Sequence, residues 1–177
     1  MHASIVNLTP LIIIKKMTER KNYITKQGYQ RLKDELDFLV KVDRPKVVAD
    51  VSWAASNGDR SENGDYIYGK KRLRQIDARA KFLFGRIDEA VVIDPSSQEQ
   101  QDKIFFGAWV TLLNESDDSE HYYRIVGQDE IDTEKGFISW VSPIAKALLG
   151  KNLEDEVKVE TPGGVVKFRI IDVAYHE

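Results

Sequence analysis

From residue 66 to 87 the side chains Tyr66, Gly69, Leu73, Ile76, Ala80, Leu83 and Ile87 recur at alternating steps of three and four, the spacing that lays one stripe along a helix and makes the heptad seam of a coiled coil. A second helical pattern precedes it. Tyr29, Leu32, Leu36 and Leu39 step by three, four and three, with Thr25 placed to serve as N-cap. The pattern then slips phase and continues through Val40, Val47, Val51 and Ala54, with Pro45 at the slip. An interior proline removes a donor and crowds the carbonyl four residues back, so a kink is expected near residues 41–45. A helix running on to Ser56 holds about 31 residues and is on the order of 45 Å long. Two long helices with one apolar stripe each and a short connection predict an antiparallel coiled-coil hairpin, a rod that buries little besides its own seam.

The period changes after the polar stretch 94–102, which begins Asp94-Pro95 and is placed as a linker. Residues 103–113, 121–131, 137–141, 156–161 and 165–175 are β-rich, and Val166, Phe168 and Ile170 alternate with Lys167 and Arg169 as in a half-buried strand. Ser142 as cap, Pro143 at the first helical position and Gly150 just past the end predict a short helix over 144–149. The second half therefore reads as a compact antiparallel sheet with one helix, and the whole chain as α+β. Trp109, Trp140 and the Phe105-Phe106 pair fall in strand-like runs and are assigned to the core.

Residues 1–17 contain an apolar run of only four, Leu11 to Ile14, too short to span a membrane, and are read as an extension, either disordered or a product of start-site choice with Met17 as the start. The net charge of −3 hides an asymmetry: residues 18–93 carry 16 Lys and Arg against 12 Asp and Glu, while residues 94–177 carry 8 against 17. The first half can lie near phosphates; the second would be repelled by them. With no cysteine and three scattered histidines, the chain offers neither a disulfide framework nor a zinc ligand set, and a cytoplasmic setting is expected.

Between the two helical patterns stands Asn57-Gly58-Asp59-Arg60-Ser61-Glu62-Asn63-Gly64-Asp65-Tyr66, too polar and glycine-rich to be packed. It reads as the tip of the hairpin. Asp59, Glu62 and Asp65 are equally spaced, and on a helix they would project from neighbouring turns of one face, where carboxylates can hold a hard cation. Asp59 and Glu62 also fit a capping box closing the first turn of the return helix. Both readings stand on these residues alone. Past the tip, Lys70, Lys71, Arg72, Arg74, Arg79, Lys81 and Arg86 are accompanied by one acid, Asp77, before Asp88. Arg72, Arg79 and Arg86 lie one heptad apart beside the seam, where salt bridges to the partner helix are expected. Lys70, Arg74 and Lys81 share an outer face, which is either solvated or binds a phosphate backbone.

Trp53-Ala54-Ala55-Ser56 with GDRSENGDYIYGKKRLRQID, the Ser142-Pro143 helix with Gly150-Lys151, and the Thr161-Pro162-Gly163-Gly164 turn together resemble the bacterial Gre transcript-cleavage factors, and among them the GreB branch, over residues 18–177. The resemblance implies an N-terminal coiled coil (18–93) joined to a C-terminal FKBP-like domain (103–177). It further implies that the coiled coil enters the secondary channel of bacterial RNA polymerase, and that Asp59 and Glu62, supported by Ser61 and Asp65, help the polymerase hydrolyse backtracked RNA. The implied partners are the polymerase and the nascent RNA 3′ end, the latter through Lys70, Lys71, Arg74 and Lys81. Docking is assigned to Ser142, Pro143 and Ile144, and a monomer that does not bind membranes is expected. Gly64, Gly69 and Val141 depart from the family pattern; each glycine is expected to loosen the return helix by about 1 kcal/mol.

Two-metal phosphodiester hydrolysis needs a pair of ions about 4 Å apart, which two tip acids cannot build. They can complete a magnesium site in a partner that already holds one ion, so Asp59 and Glu62 are assigned as metal ligands only together with the polymerase active site. No cofactor of the chain's own is expected. Two other classes remain: a stand-alone metal-dependent phosphodiesterase, which would need further convergent ligands and a pocket, and a Gre-shaped inhibitor that binds the channel without cleavage.

Overall fold

The computed structural model describes residues 21–56, 62–161 and 163–176, which fall into two compact units, Gln30–Glu89 and the segments on either side of it. The division comes at residues 29/30 and 89/90 rather than within 94–102. The reason is a pairing that the sequence pattern concealed: β1 (Asn22–Thr25) lies parallel to β2 (Ala90–Ile93), Tyr23 opposite Val91 and Ile24 opposite Val92.

The helical unit begins inside α1 (Lys26–Phe38). Thr25 caps α1 as expected, its Oγ1 accepting the Gly28 N–H at 3.0 Å. The phase slip has a definite structure. Residues Leu39–Asp43 form a π-helical turn, closed by the Arg44 N–H on the Leu39 carbonyl, and α2 (Arg44–Ser56) follows without a break. Val47 stands eight residues after Leu39, one more than a heptad, and a π turn absorbs one added residue. Pro45, which has no N–H to give, falls in the first turn after it. Val40 is not part of the seam: the wider turn carries it outward, and it is 46% exposed.

The return helix α3 (Gly64–Asp88) runs antiparallel to this element. Its contacts show the direction, with Val51 against Gly69, Asp43 against Arg72 and Glu35 against Arg79. Leu32, Leu39, Ala54, Ile76 and Leu83 are buried, and the other apolar seam positions are half-buried, as the heptad requires. Gly69 has a specific use. A Cβ there would collide with the Val51 side chain, whereas one at Gly64 would meet nothing, so the first glycine lets the helices approach and only the second is a pure loss of helix propensity.

In the second unit a five-stranded sheet has the order β5 (Phe137–Ser139), β4 (Glu120–Val126), β3 (Trp109–Asn114), β7 (Gly164–Ala174), β6 (Glu156–Thr161). Three of its four pairings are antiparallel; β4 and β5 run parallel, where an all-antiparallel sheet was expected. One face packs on α4 (Pro143–Leu148) in a core of Val110, Leu112, Ile125, Trp140, Leu148, Val157, Phe168 and Ile170. Trp109 is not in that core. It is half-buried, stacked between Tyr122 and His176, with the Arg124 guanidinium 5.2 Å from its ring centre. Glu130, 4% exposed, accepts the backbone N–H groups of Thr25 and Gly127, each at 2.9 Å, and the Thr25 hydroxyl. It thereby fixes β1 and the capped start of α1 to the turn after β4. Among the described residues no helix is long and apolar enough to cross a membrane.

Candidate functional site

Among the described residues, the Asn63 side chain links the end of α2 to the start of α3. Its Oδ1 accepts the N–H groups of Asp65 and Tyr66 at 3.1 and 3.2 Å, which makes it the N-cap of α3. Its Nδ2 donates to the Ala54 carbonyl at 2.9 Å, so the same amide satisfies an orphan acceptor in the last turn of α2. At the end of α2, Ser56 turns its hydroxyl back onto the Trp53 carbonyl.

This settles where Glu62 stands. The helix starts at Gly64, after Glu62, so Glu62 and Asp65 do not project from one helical face. The cap position of the return helix is taken by Asn63, whose uncharged amide holds the N–H groups of the second and third helical residues, Asp65 and Tyr66. Glu62 is exposed and precedes the cap. Asp65 is also exposed and lies in the first turn of α3, where the helix dipole favours an acid. Asp59, Arg60 and Ser61 lie outside the described residues. Among the described residues no three His, Asp or Glu side chains group to hold a metal ion.

On α3 the cations divide into two kinds. Arg72 Nη2 reaches Asp43 Oδ2 at 2.7 Å, and Arg79 makes a bidentate pair with Glu35 at 2.6 and 2.8 Å. These are the interhelical bridges that the heptad spacing predicts. The Arg79 hydrogen bonds hold the Glu35 carboxyl below its ordinary pKa. From the opposite side Arg44 reaches Asp77 at 2.9 Å, so the one acid of the basic run is also engaged. Lys70, Lys71, Arg74 and Lys81 are exposed, and none has an acidic partner among the described residues. Lys70 lies 5.9 Å from the centre of the Tyr66 ring. Beside the tip, on another flank of the helix pair, Trp53 and Tyr68 are 67% and 76% exposed and line an open groove of about 500 Å³ with Asp50, Asp65, Gly69 and Arg72.

In the other unit the Ser142 hydroxyl accepts the Ala145 N–H at 3.2 Å and caps α4. Pro143 is exposed at the first helical position, and Ile144 is half-buried against the core.

Sequence reasoning missed Asn63. The signal was present, an asparagine followed by the first residues of a strong helical period, but the neighbouring carboxylates competed for the same role.

Comparison with known proteins covers nearly all of the described chain. The family "Transcription elongation factor, N-terminal" matches residues 22–92, and "Transcription elongation factor, GreA/GreB, C-term" matches residues 99–175. The chain is 53% identical over 158 residues to transcription elongation factor GreB of Neisseria meningitidis serogroup B, covering 89% of this chain and 96% of that one. It is 51% identical to the GreB of Pasteurella multocida, over 89% of this chain and 99% of that one. Among solved structures, the prokaryotic transcription elongation factor GreA/GreB from Nitrosomonas europaea is similar at 24% identity and a TM-score of 0.40, covering 88% of this chain and 100% of that one.

Proposed function

The chain belongs to the GreA/GreB family of transcription elongation factors, and from that premise we propose that it binds bacterial RNA polymerase through the secondary channel and stimulates the polymerase's own cleavage of backtracked RNA, releasing arrested complexes. The observation that carries this reading is the separation of capping from charge. Asn63 joins the two helix ends, and Glu62 is exposed and takes no part in that junction among the described residues. A carboxylate free of the fold is available to a partner.

Magnesium takes one or two carboxylates and fills its other positions with water and phosphate oxygens. The donor set here fits such a share and no more, so Asp59 and Glu62, with Ser61 and Asp65 in support, would hold the ion only jointly with the polymerase active site. When bound there, magnesium supplies an activated water and charge stabilisation at the leaving oxygen. The chain's own part is to carry the two acids between two helices whose ends the Asn63 amide ties together. It is an accessory factor with no cofactor of its own. Lys70, Lys71, Arg74 and Lys81 bind phosphates of the extruded RNA 3′ segment. Ser142, Pro143 and Ile144 form the docking corner, where the exposed proline ring is presented by a capped helix. The factor acts as a cytoplasmic monomer.

Incubating the full chain with labelled RNA and magnesium, with and without a stalled polymerase complex, tests the reading. Cleavage only in the presence of polymerase is expected. Cleavage of free RNA would make the chain a nuclease, and a block of elongation without cleavage would make it a channel-binding inhibitor.

A further inference from the structure

The groove beside the tip has a chemistry that the basic face and the Asp59 and Glu62 pair leave unused. Trp53, in the last turn of α2, and Tyr68, in the second turn of α3, expose most of their surface along it. Its floor is closed by the tight approach of the two helices at Gly69. Asp50 and Asp65 line it, which disfavours a phosphate, and Arg72 lines it too, spending one N–H on Asp43 out of the five that a guanidinium carries. Aromatic faces, carboxylate acceptors and a guanidinium donor in a space of about 500 Å³ fit one planar, uncharged group with donors and acceptors on its edge. Unpaired nucleobases are recognised in this way, by stacking and by hydrogen bonds to their edges.

At about 100° per residue, Tyr68 and Arg72 lie far round α3 from Lys70, Arg74 and Lys81. The groove is therefore not a continuation of that basic face. We propose that it is a subsite for a single unpaired base of the RNA whose 3′ segment the factor meets, with Trp53 and Tyr68 stacking on the base and Asp50, Asp65 and Arg72 reading its edge. This rests on the cleavage-factor reading.

The test uses stalled complexes whose extruded RNA carries either a normal nucleotide or an abasic one at successive positions, cleaved by the full chain or by Trp53→Leu and Tyr68→Leu variants. Both positions are exposed, so folding should survive; Trp53→Phe and Tyr68→Phe keep a ring and serve as rescue. For normal RNA the leucine variants should need about tenfold more factor or worse for half-maximal cleavage, the scale of one base–aromatic stack, and the phenylalanine variants should recover it. At one position the abasic nucleotide should impose the same loss on the wild type and none on the leucine variants. Leucine variants that lose activity equally on normal and abasic RNA would overturn the proposal in favour of a polymerase contact, and unaffected leucine variants would overturn it outright. A separate arm titrates the full chain with a short unpaired RNA oligomer, followed by tryptophan fluorescence. Quenching that disappears in Trp53→Phe supports the subsite even if the wild type stimulates no cleavage, and its absence at every salt concentration opposes it.

Discussion

Replacing Asn63 by alanine removes three hydrogen bonds at once: the two that cap α3 and the one to the Ala54 carbonyl. Loss of an N-cap costs about 1 kcal/mol, and a part-buried amide–carbonyl bond contributes about 1 kcal/mol net. The local opening free energy of the turn should therefore fall by about 2 kcal/mol, a factor of about 30 in the population of open states. Hydrogen exchange at the amides of Asp65, Tyr66 and Ile67 should accelerate by that factor, with amides around Ile76 and Leu83 unchanged because the seam there is intact. Asn63→Ser keeps a capping oxygen but has no amide to reach α2, so it should lose about 1 kcal/mol and sit between wild type and alanine. Equal exchange in wild type and Asn63→Ala, or serine as damaging as alanine, would refute the double role of this side chain.

Glu62→Ala should leave the stability of the helical unit within about 0.5 kcal/mol of wild type in denaturant unfolding, the usual range for an exposed side chain outside any cap; a larger loss would return Glu62 to a structural role. Gly69→Ala should destabilise, the collision with Val51 outweighing about 1 kcal/mol of helix propensity, while Gly64→Ala should be neutral or stabilising. The Glu35–Arg79 pair, with both side chains more than a third exposed, should show a coupling of at most about 1 kcal/mol in a double-mutant cycle at pH 7. Because the folded-state pKa of Glu35 is lowered, that coupling is present above the ordinary glutamate pKa and should vanish as acid takes the pH down through the folded value. Replacing Lys70, Arg74 and Lys81 by alanine should reduce the salt slope of rescue by about 0.7 per cation, chiefly for deeply backtracked complexes; equal rescue at every depth and salt concentration would leave the face merely solvated.

Much of the helical unit was legible because a heptad writes itself along the sequence: the seam from Tyr66 to Ile87, the antiparallel return and the bridges from Arg72 and Arg79 all follow from spacing. The slip near Pro45 was visible too, but periodicity shows only that a residue is out of step, and a π turn absorbs it as readily as a kink. The β1–β2 pairing was hidden for another reason. Its strands are four residues each, too short for an alternation to register, and their partnership spans the whole hairpin. Trp109 was misplaced because a strand of period two presents aromatics to either face, and nothing local says which face is covered. At the tip, charge drew attention to Asp59 and Glu62 while the neutral Asn63, flanked by Glu62 and Gly64, held the geometry.

The central claim is that the tip acids serve polymerase catalysis and not the fold. Its most direct measurement is transcript cleavage by an Asp59→Ala/Glu62→Ala double variant in a stalled complex, alongside its ability to compete with wild type for polymerase. Cleavage should be abolished while competition persists at the wild-type concentration. Full cleavage by the double variant would contradict the account.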